Sequence, residues 1–192
     1  MRLGILGNCA KHDLVLVLAA LIQSHRGESV SVGTKEERVY PYFNGEVSQI
    51  AIHPLDKDEG SIIIHDLHEI PEEASIYEKI FLVTTFDRYS IDFMESASRV
   101  VKFDAVVLIS APCSITPKFI EQRLQEQESP RFYVYEEDAK RRIDMVFDGR
   151  IPLKKLSADF VDTMNDILIE HFEVPSKSIK KLWSYAAKRL GG

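Results

Sequence analysis

The apolar stretches of this chain mostly run unbroken, where a half-buried strand would alternate. Ser61-Ile62-Ile63-Ile64, Ile80-Phe81-Leu82-Val83 and Ala105-Val106-Val107-Leu108-Ile109 are short and rich in β-branched residues, which predicts parallel strands covered on both faces. Arg2 to Leu6 is a fourth such run and ends at Gly7; from Leu14 to Ile22 the chain stays apolar without alternation, as a buried helix would. Glu28 to Val32 alternates and stops at Gly33, giving another strand. Asn44-Gly45 lies between Glu37–Phe43 and Glu46–His53 and predicts a hairpin, because both turn positions need positive φ. Pro41 would place the first arm at a sheet edge. Arg88 to Val101 and Thr116 to Gln127 carry helical spacing, with Ser114 or Thr116 as cap and Pro117 in the first turn. Arg131 to Tyr135 reads as a last strand, and two helices, Leu156–Phe172 and Ser176–Leu190, flank Val174-Pro175. Strands and helices in this order predict an α/β fold: a three-layer, mostly parallel, doubly wound sheet with a β-hairpin insertion and C-terminal helices.

Composition narrows the picture. The 192 residues are 45% hydrophobic and 28% charged, enough for one globular domain with its own core. A formal net charge of −6 argues against nucleic acid as a partner, since phosphate neutralisation needs clustered Lys and Arg. Cys9 and Cys113 are too few for a disulfide framework and offer no C-x-x-C spacing, so a reducing, cytoplasmic setting is expected. Met1-Arg2 leads straight into a strand, and no apolar run approaches the roughly 20 residues of a membrane span.

The tail is distinct. Ile179, Leu182, Trp183, Ala186 and Leu190 share one helical face, while Lys177, Lys180, Lys181, Lys188 and Arg189 line the rest without an acid among them. The reading is a domain over residues 1–175 followed by a basic amphipathic helix over 176–192. That helix packs on its own domain or on a second copy; the alternative is peripheral contact with an anionic membrane.

Candidate chemistry gathers after the strands, where open parallel sheets bind ligands. Gly7-Asn8-Cys9-Ala10-Lys11-His12-Asp13 joins a strand to a helix and reads as a phosphate-binding loop lacking parts. A complete G-x-x-x-x-G-K-[ST] loop turns backbone N–H groups and a Lys toward phosphates and a hydroxyl toward Mg²⁺. Lys11 is retained, Ala10 stands in place of the second glycine, and His12 in place of the hydroxyl. A cation at a helix N-terminus opposes the helix dipole, so Lys11 calls for a phosphate or a carboxylate beside it. Asp66, ending a strand, has the position of a carboxylate that orients Mg²⁺ water or the attacking water, or else it caps the following turn. His65, Asp66, His68 and Glu69 read as a polar surface turn before a metal site, and Cys9 and Cys113 as small core or rim residues. Tyr133 and Tyr135 read as a strand rim, and Lys140-Arg141-Arg142 as a solvated helix face.

Ala10-Lys11-His12-Asp13-Leu14-Val15-Leu16-Val17-Leu18-Ala19-Ala20-Leu21 resembles the G-K-[ST]-T-L-A-x-N-L-A-x-L run of the ParA/MinD partition and septum-site ATPases, which have a deviant phosphate loop. Ile62-Ile63-Ile64-His65-Asp66 and Val83-Thr84-Thr85-Phe86-Asp87-Arg88-Tyr89-Ser90 extend the similarity, which covers most of residues 1 to 150 as pattern. The resemblance implies a P-loop NTPase-like domain, ATP and Mg²⁺ as cofactors, Gly7, Asn8, Ala10, Lys11 and His12 as the nucleotide loop, and Asp66 as the catalytic-region carboxylate. The departures are the early signature Lys, the glycines, the hydroxyl, Ser110 near the place of a base-reading Asn, and Gly33-Thr34 where a carboxylate would end the second strand. They predict weak or absent hydrolysis, as in degenerate relatives similar to the CpaE/TadZ pilus-assembly proteins, which serve as positioning or regulatory factors through a protein partner or a homodimer. The rival expectation is an active ATPase or small kinase with a rebuilt phosphate site.

Overall fold

The computed structural model describes residues 1–57, 60–124 and 130–190. One sheet of eight strands, β1 (Arg2–Leu6), β2 (Val30–Thr34), β3 (Glu46–Val47), β4 (Ile50–Pro54), β5 (Ile62–Leu67), β6 (Lys79–Thr85), β7 (Ala105–Ser110) and β8 (Arg131–Glu136), runs in the order β3-β4-β2-β5-β1-β6-β7-β8. All neighbours pair in parallel except the β3–β4 hairpin. The unbroken apolar runs are therefore the central strands, and the α/β expectation holds.

Helix α1 (His12–Arg26) packs with α5 (Ala158–Phe172) and α6 (Ile179–Arg189) into the larger core on one face of the sheet. Helices α2 (Arg88–Ser98) and α3 (Pro117–Arg123) form the smaller core on the other. His12 through Gln23 of α1 are all buried, which is why this helix is apolar all round. Helix α4 (Ala139–Asp148) also lies against α1. Consecutive strands are laid to one side of β1 and then to the other, so the carboxyl end of β1 is a topological switch point, where a crevice opens. The α6 face carrying Ile179, Leu182, Ala186 and Leu190 is buried in the α1 core, with Trp183 Nε1 donating to Asn165 Oδ1 at 2.7 Å. No helix among the described residues is long and apolar enough to cross a membrane.

Four local expectations are corrected. Asn44 and Gly45 do have positive φ, but they follow a 3-10 turn over Tyr40–Phe43, and no strand precedes them. The hairpin instead turns at Ser48-Gln49, with φ of 47° and 64°. Arg141 is buried, not solvated, because α4 turns it inward onto α1. Tyr135 is a core residue packed edge-on against Phe160. His65 is buried and bonded to the Tyr77 hydroxyl through Nδ1 at 3.0 Å, so it is not part of a surface turn. Gln125–Gln127 of the expected third helix, and the last two residues of the tail, lie outside the described residues.

Candidate functional site

The floor of the crevice is built from the ends of β1 and β5. Gly7 follows β1, and its amide donates to Leu67 O at 2.9 Å. A Cβ on Gly7 would sit 2.1 Å from the Val83 carbonyl of β6. Glycine is required here to let two strands approach, which is a demand of the sheet itself. Asn8, Cys9 and Ala10 then carry the chain to Lys11, which caps α1 with its backbone but makes no side-chain cap. Asn8 is half-buried, its carbonyl accepting from Ser90 Oγ at 3.3 Å, and Ala10 is exposed.

Lys11 folds back into the protein. Its ammonium donates to Gly7 O at 2.6 Å, stands 2.6 Å from Asp66 Oδ1 and 3.2 Å from His68 Nε2, and its side chain has no exposed surface. An ammonium has three N–H donors, and three acceptors of this chain surround it. Asp66 is equally buried, with Oδ2 accepting from the Tyr40 hydroxyl at 2.7 Å. Burial alone would raise the Asp66 pKa, but the Lys11 charge, followed by the hydrogen bond and charge of His68, outweighs it and holds the carboxyl well below its ordinary range. Burial, reinforced by Asp66, pushes the Tyr40 hydroxyl well above its usual value, so Tyr40 is a lasting donor. His68 Nε2 lies between the two charges, 3.3 Å from Asp66 Oδ1. A neutral ring accepts there from Lys11; a protonated one donates to Asp66.

Tyr40 gives no sign of itself in the sequence. It arrives through the loop after β2, which Glu36 ties down by accepting from the amides of Arg38 at 2.6 Å and Val39 at 2.8 Å. Thr34 Oγ1 links the same loop to β5, donating to Asp66 O at 3.4 Å and accepting from the Glu36 amide at 2.9 Å. Gly33, between His53 and His65 in the register, leaves room for their rings; a Cβ there would stand 2.7 Å from His65 Cδ2.

On the other side of the loop, α4 covers the start of α1. Arg141 Nε donates to Asp13 Oδ2 at 2.8 Å, both side chains being almost wholly buried, and the guanidinium lies 3.9 Å above the Phe160 ring. His12 Nε2 donates to Arg142 O at 3.4 Å. Burial pushes the Cys9 thiol up to about 12, a rise that Lys11 partly offsets, so it stays protonated and its Sγ faces Val83 O at 3.7 Å. Above this floor is a cleft of about 1070 Å³, walled by the loops after β2 and β5. Its lining includes Glu37, Glu69, Glu72 and Glu73 against Lys35 and Arg38, so acids outnumber cations at the rim. Among the described residues no group of three His, Cys, Asp or Glu is arranged to hold a metal ion.

No family model matches the chain, and no curated protein does. Among solved structures, a chain of the MinC:MinD cell division protein complex of Aquifex aeolicus superposes with a TM-score of 0.53 at 11% identity, covering 100% of this chain and 96% of that one. The fold is MinD-like. MinD of Aquifex aeolicus by itself gives a TM-score of 0.49 at 12% identity, covering 100% of this chain and 97% of its own. The first superposition covers 100% of this chain and 96% of the other, so the likeness is one of the whole fold rather than of a single segment.

Proposed function

We propose that this chain is a ParA/MinD-type positioning or regulatory factor, a degenerate member similar to the CpaE/TadZ proteins, with weak or no nucleotide hydrolysis. The observation that carries this reading is the state of Lys11. Gly7 O, Asp66 Oδ1 and His68 Nε2 all lie within 3.2 Å of its ammonium, and the buried Asp66 carboxylate neutralises the cation from within. The residues present do not fit a Mg²⁺-triphosphate held in the manner of a phosphate loop. His12 supplies no hydroxyl and is turned toward Arg142 O, Gly7 is pressed against β6, and the acidic rim repels polyphosphate. Phosphoryl transfer depends on positioning and charge neutralisation, and neither is supported by this set.

Action through protein contacts is supported on two sides. The solved neighbour belongs to a complex of MinD with MinC, and helix α4 of this chain exposes Ile143 and Phe147, one turn apart, the latter 88% accessible. A paired apolar surface of this kind suits a protein partner or a second copy. We place the protein in the cytoplasm, with the exposed cations Lys177, Lys180, Lys181, Lys188 and Arg189 of the α6 region as the face for an anionic membrane.

The test is calorimetric titration of the full chain with ATP and Mg²⁺, run beside a phosphate-release assay. Flat titrations below millimolar ATP and release at the background rate are expected. Turnover by the wild type overturns the reading in favour of an ATPase with a rebuilt site.

A further inference from the structure

We infer that helix α4 is the contact of this chain with a second copy of itself: two α4 helices pack antiparallel about a two-fold axis, Ile143 and Phe147 of each against Phe147 and Ile143 of the other, with no nucleotide involved. The inference rests on the action through protein contacts proposed above and deepens it, because it names the partner and the residues that select it.

Three observations converge. The outer face of α4 is beyond the reach of its own domain: Arg141, paired with Asp13, and Met145 in the core fix the inner face. Ile143 at 55% and Phe147 at 88% exposure, one turn apart, therefore form an apolar strip that no rotation of the helix buries without expelling a paired guanidinium. Next, the strip is framed by charges of both signs. Lys140 pairs with Asp144 at 3.4 Å and Arg150 with Asp148 at 3.2 Å, all four exposed. The stretch Glu137–Arg150 holds four cations and four acids, which makes it neutral on a chain whose formal net charge is −6. Net charge of one sign sets copies of a protein against each other, and a neutral stretch with an apolar centre and a polar rim is where they can meet. Finally, the order of the charges is self-complementary. In an antiparallel pair centred on Asp144, Lys140 of each copy stands level with Asp148 of the other, and at about 1.5 Å of rise per residue Ile143 comes within about 3 Å, along the axis, of the other copy's Phe147. Asp144, at the centre, is answered by Lys140 of its own chain. A two-fold contact demands this order, since residue i meets j wherever j meets i.

Size sets the strength. Helix α4 has ten residues, about 15 Å of length, so the contact lies at the small end of specific interfaces, and the dimer should be half-formed at chain concentrations on the order of 10–100 µM. Phe147, the one aromatic on the strip, is its anchor.

The experiment is sedimentation velocity of the full chain from about 5 to 500 µM, a range that brackets that midpoint, without nucleotide or Mg²⁺. Far-UV circular dichroism verifies folding of each variant. The wild type should move from monomer toward twice the monomer mass. Phe147→Ser, at a position open to solvent, should raise the midpoint at least tenfold, and Ile143→Ser should shift it in the same direction. Register is read from the charges. Lys140→Glu and Asp148→Lys should each weaken association at least fivefold when alone, and an equimolar mixture of the two should dimerise like the wild type, because both rim contacts of the mixed pair again join opposite charges. A wild type that stays monomeric at the highest concentration overturns the inference and assigns the face to a different protein. A dimer unchanged by Phe147→Ser, or a mixture no more associated than its components, overturns it too. A monomeric wild type leaves the proposed function standing with another partner, whereas ATP turnover removes that function and leaves the dimer to be judged by sedimentation.

Discussion

Arg141 of α4 lies 2.8 Å from Asp13 at the start of α1, the guanidinium 3.9 Å above Phe160, and neither charged side chain exceeds 3% exposure. Truncation by Arg141→Ala strands the Asp13 carboxylate where water cannot reach it. Breaking a buried pair from one side costs about 3–5 kcal/mol, and the lost stacking over Phe160 adds up to about 2 kcal/mol. A loss of about 4 kcal/mol is therefore expected, a large share of the roughly 5–15 kcal/mol that stabilises a domain. At about 2–4 °C per kcal/mol for a chain of this size, the melting temperature should fall by about 8–16 °C. Urea unfolding read by the fluorescence of Trp183, the one tryptophan, and by far-UV circular dichroism gives the number. The decisive companion is Asp13→Leu with Arg141→Leu, which removes both charges and replaces them with apolar volume. It should regain most of the loss, leaving a deficit under about 1.5 kcal/mol. If Arg141→Ala costs less than about 1.5 kcal/mol, or the double variant is as unstable as the two single changes added together, the buried pair is not what fastens α4.

Three further outcomes follow from the site. Gly7→Ala places a methyl group 2.1 Å from Val83 O and should cost about 3 kcal/mol or more by forcing β1 from β6; a denaturation midpoint within about 1 kcal/mol of wild type would contradict the close approach. The folded Asp66 carboxyl titrates below its ordinary value of 3.8, so its contribution to stability is complete above that value and lost as the pH falls through it. The urea midpoint of the wild type should exceed that of Asp66→Asn from about pH 8 to pH 5, and the gap should narrow below about pH 4; a gap that widens in acid reverses the sign. With its thiol pushed up to about 12, Cys9 should resist iodoacetamide at pH 8, whereas exposed Cys113 is alkylated; mass spectrometry of the native chain showing two adducts at equal rates would sink that expectation.

The sheet was legible because its central strands are continuous apolar runs, and α1 because nothing polar interrupts Leu14 to Ile22. Helix α4 was not legible as an element with an inner face. It buries Arg141 and Met145 and exposes Ile143 and Phe147, so two of its large apolar residues face outward while a cation faces in, and the partner Asp13, distant in sequence, explains the buried charge. The hairpin was misplaced because Asn44-Gly45 does adopt the positive φ its composition favours, while the strands close on Ser48-Gln49, residues with no such signal. At the site, the spacing of Lys11 and the strand-end position of Asp66 marked both residues, and the demand of Lys11 for an anion pointed to a phosphate or a carboxylate. Nothing local indicated Tyr40, which a long loop delivers to Asp66, or showed that Gly7 serves the approach of two strands.

Helix α1 has no polar side to show to water, and α6, which shields part of it, is made at the far end of the fold. At translation rates of about 5–20 residues per second, about 8–30 seconds separate the two, during which the apolar run Leu14–Ile22 waits without this cover. The α1 core is thus complete only when α6 is in place, and a chain cut short before α6 would leave part of that apolar surface open to water.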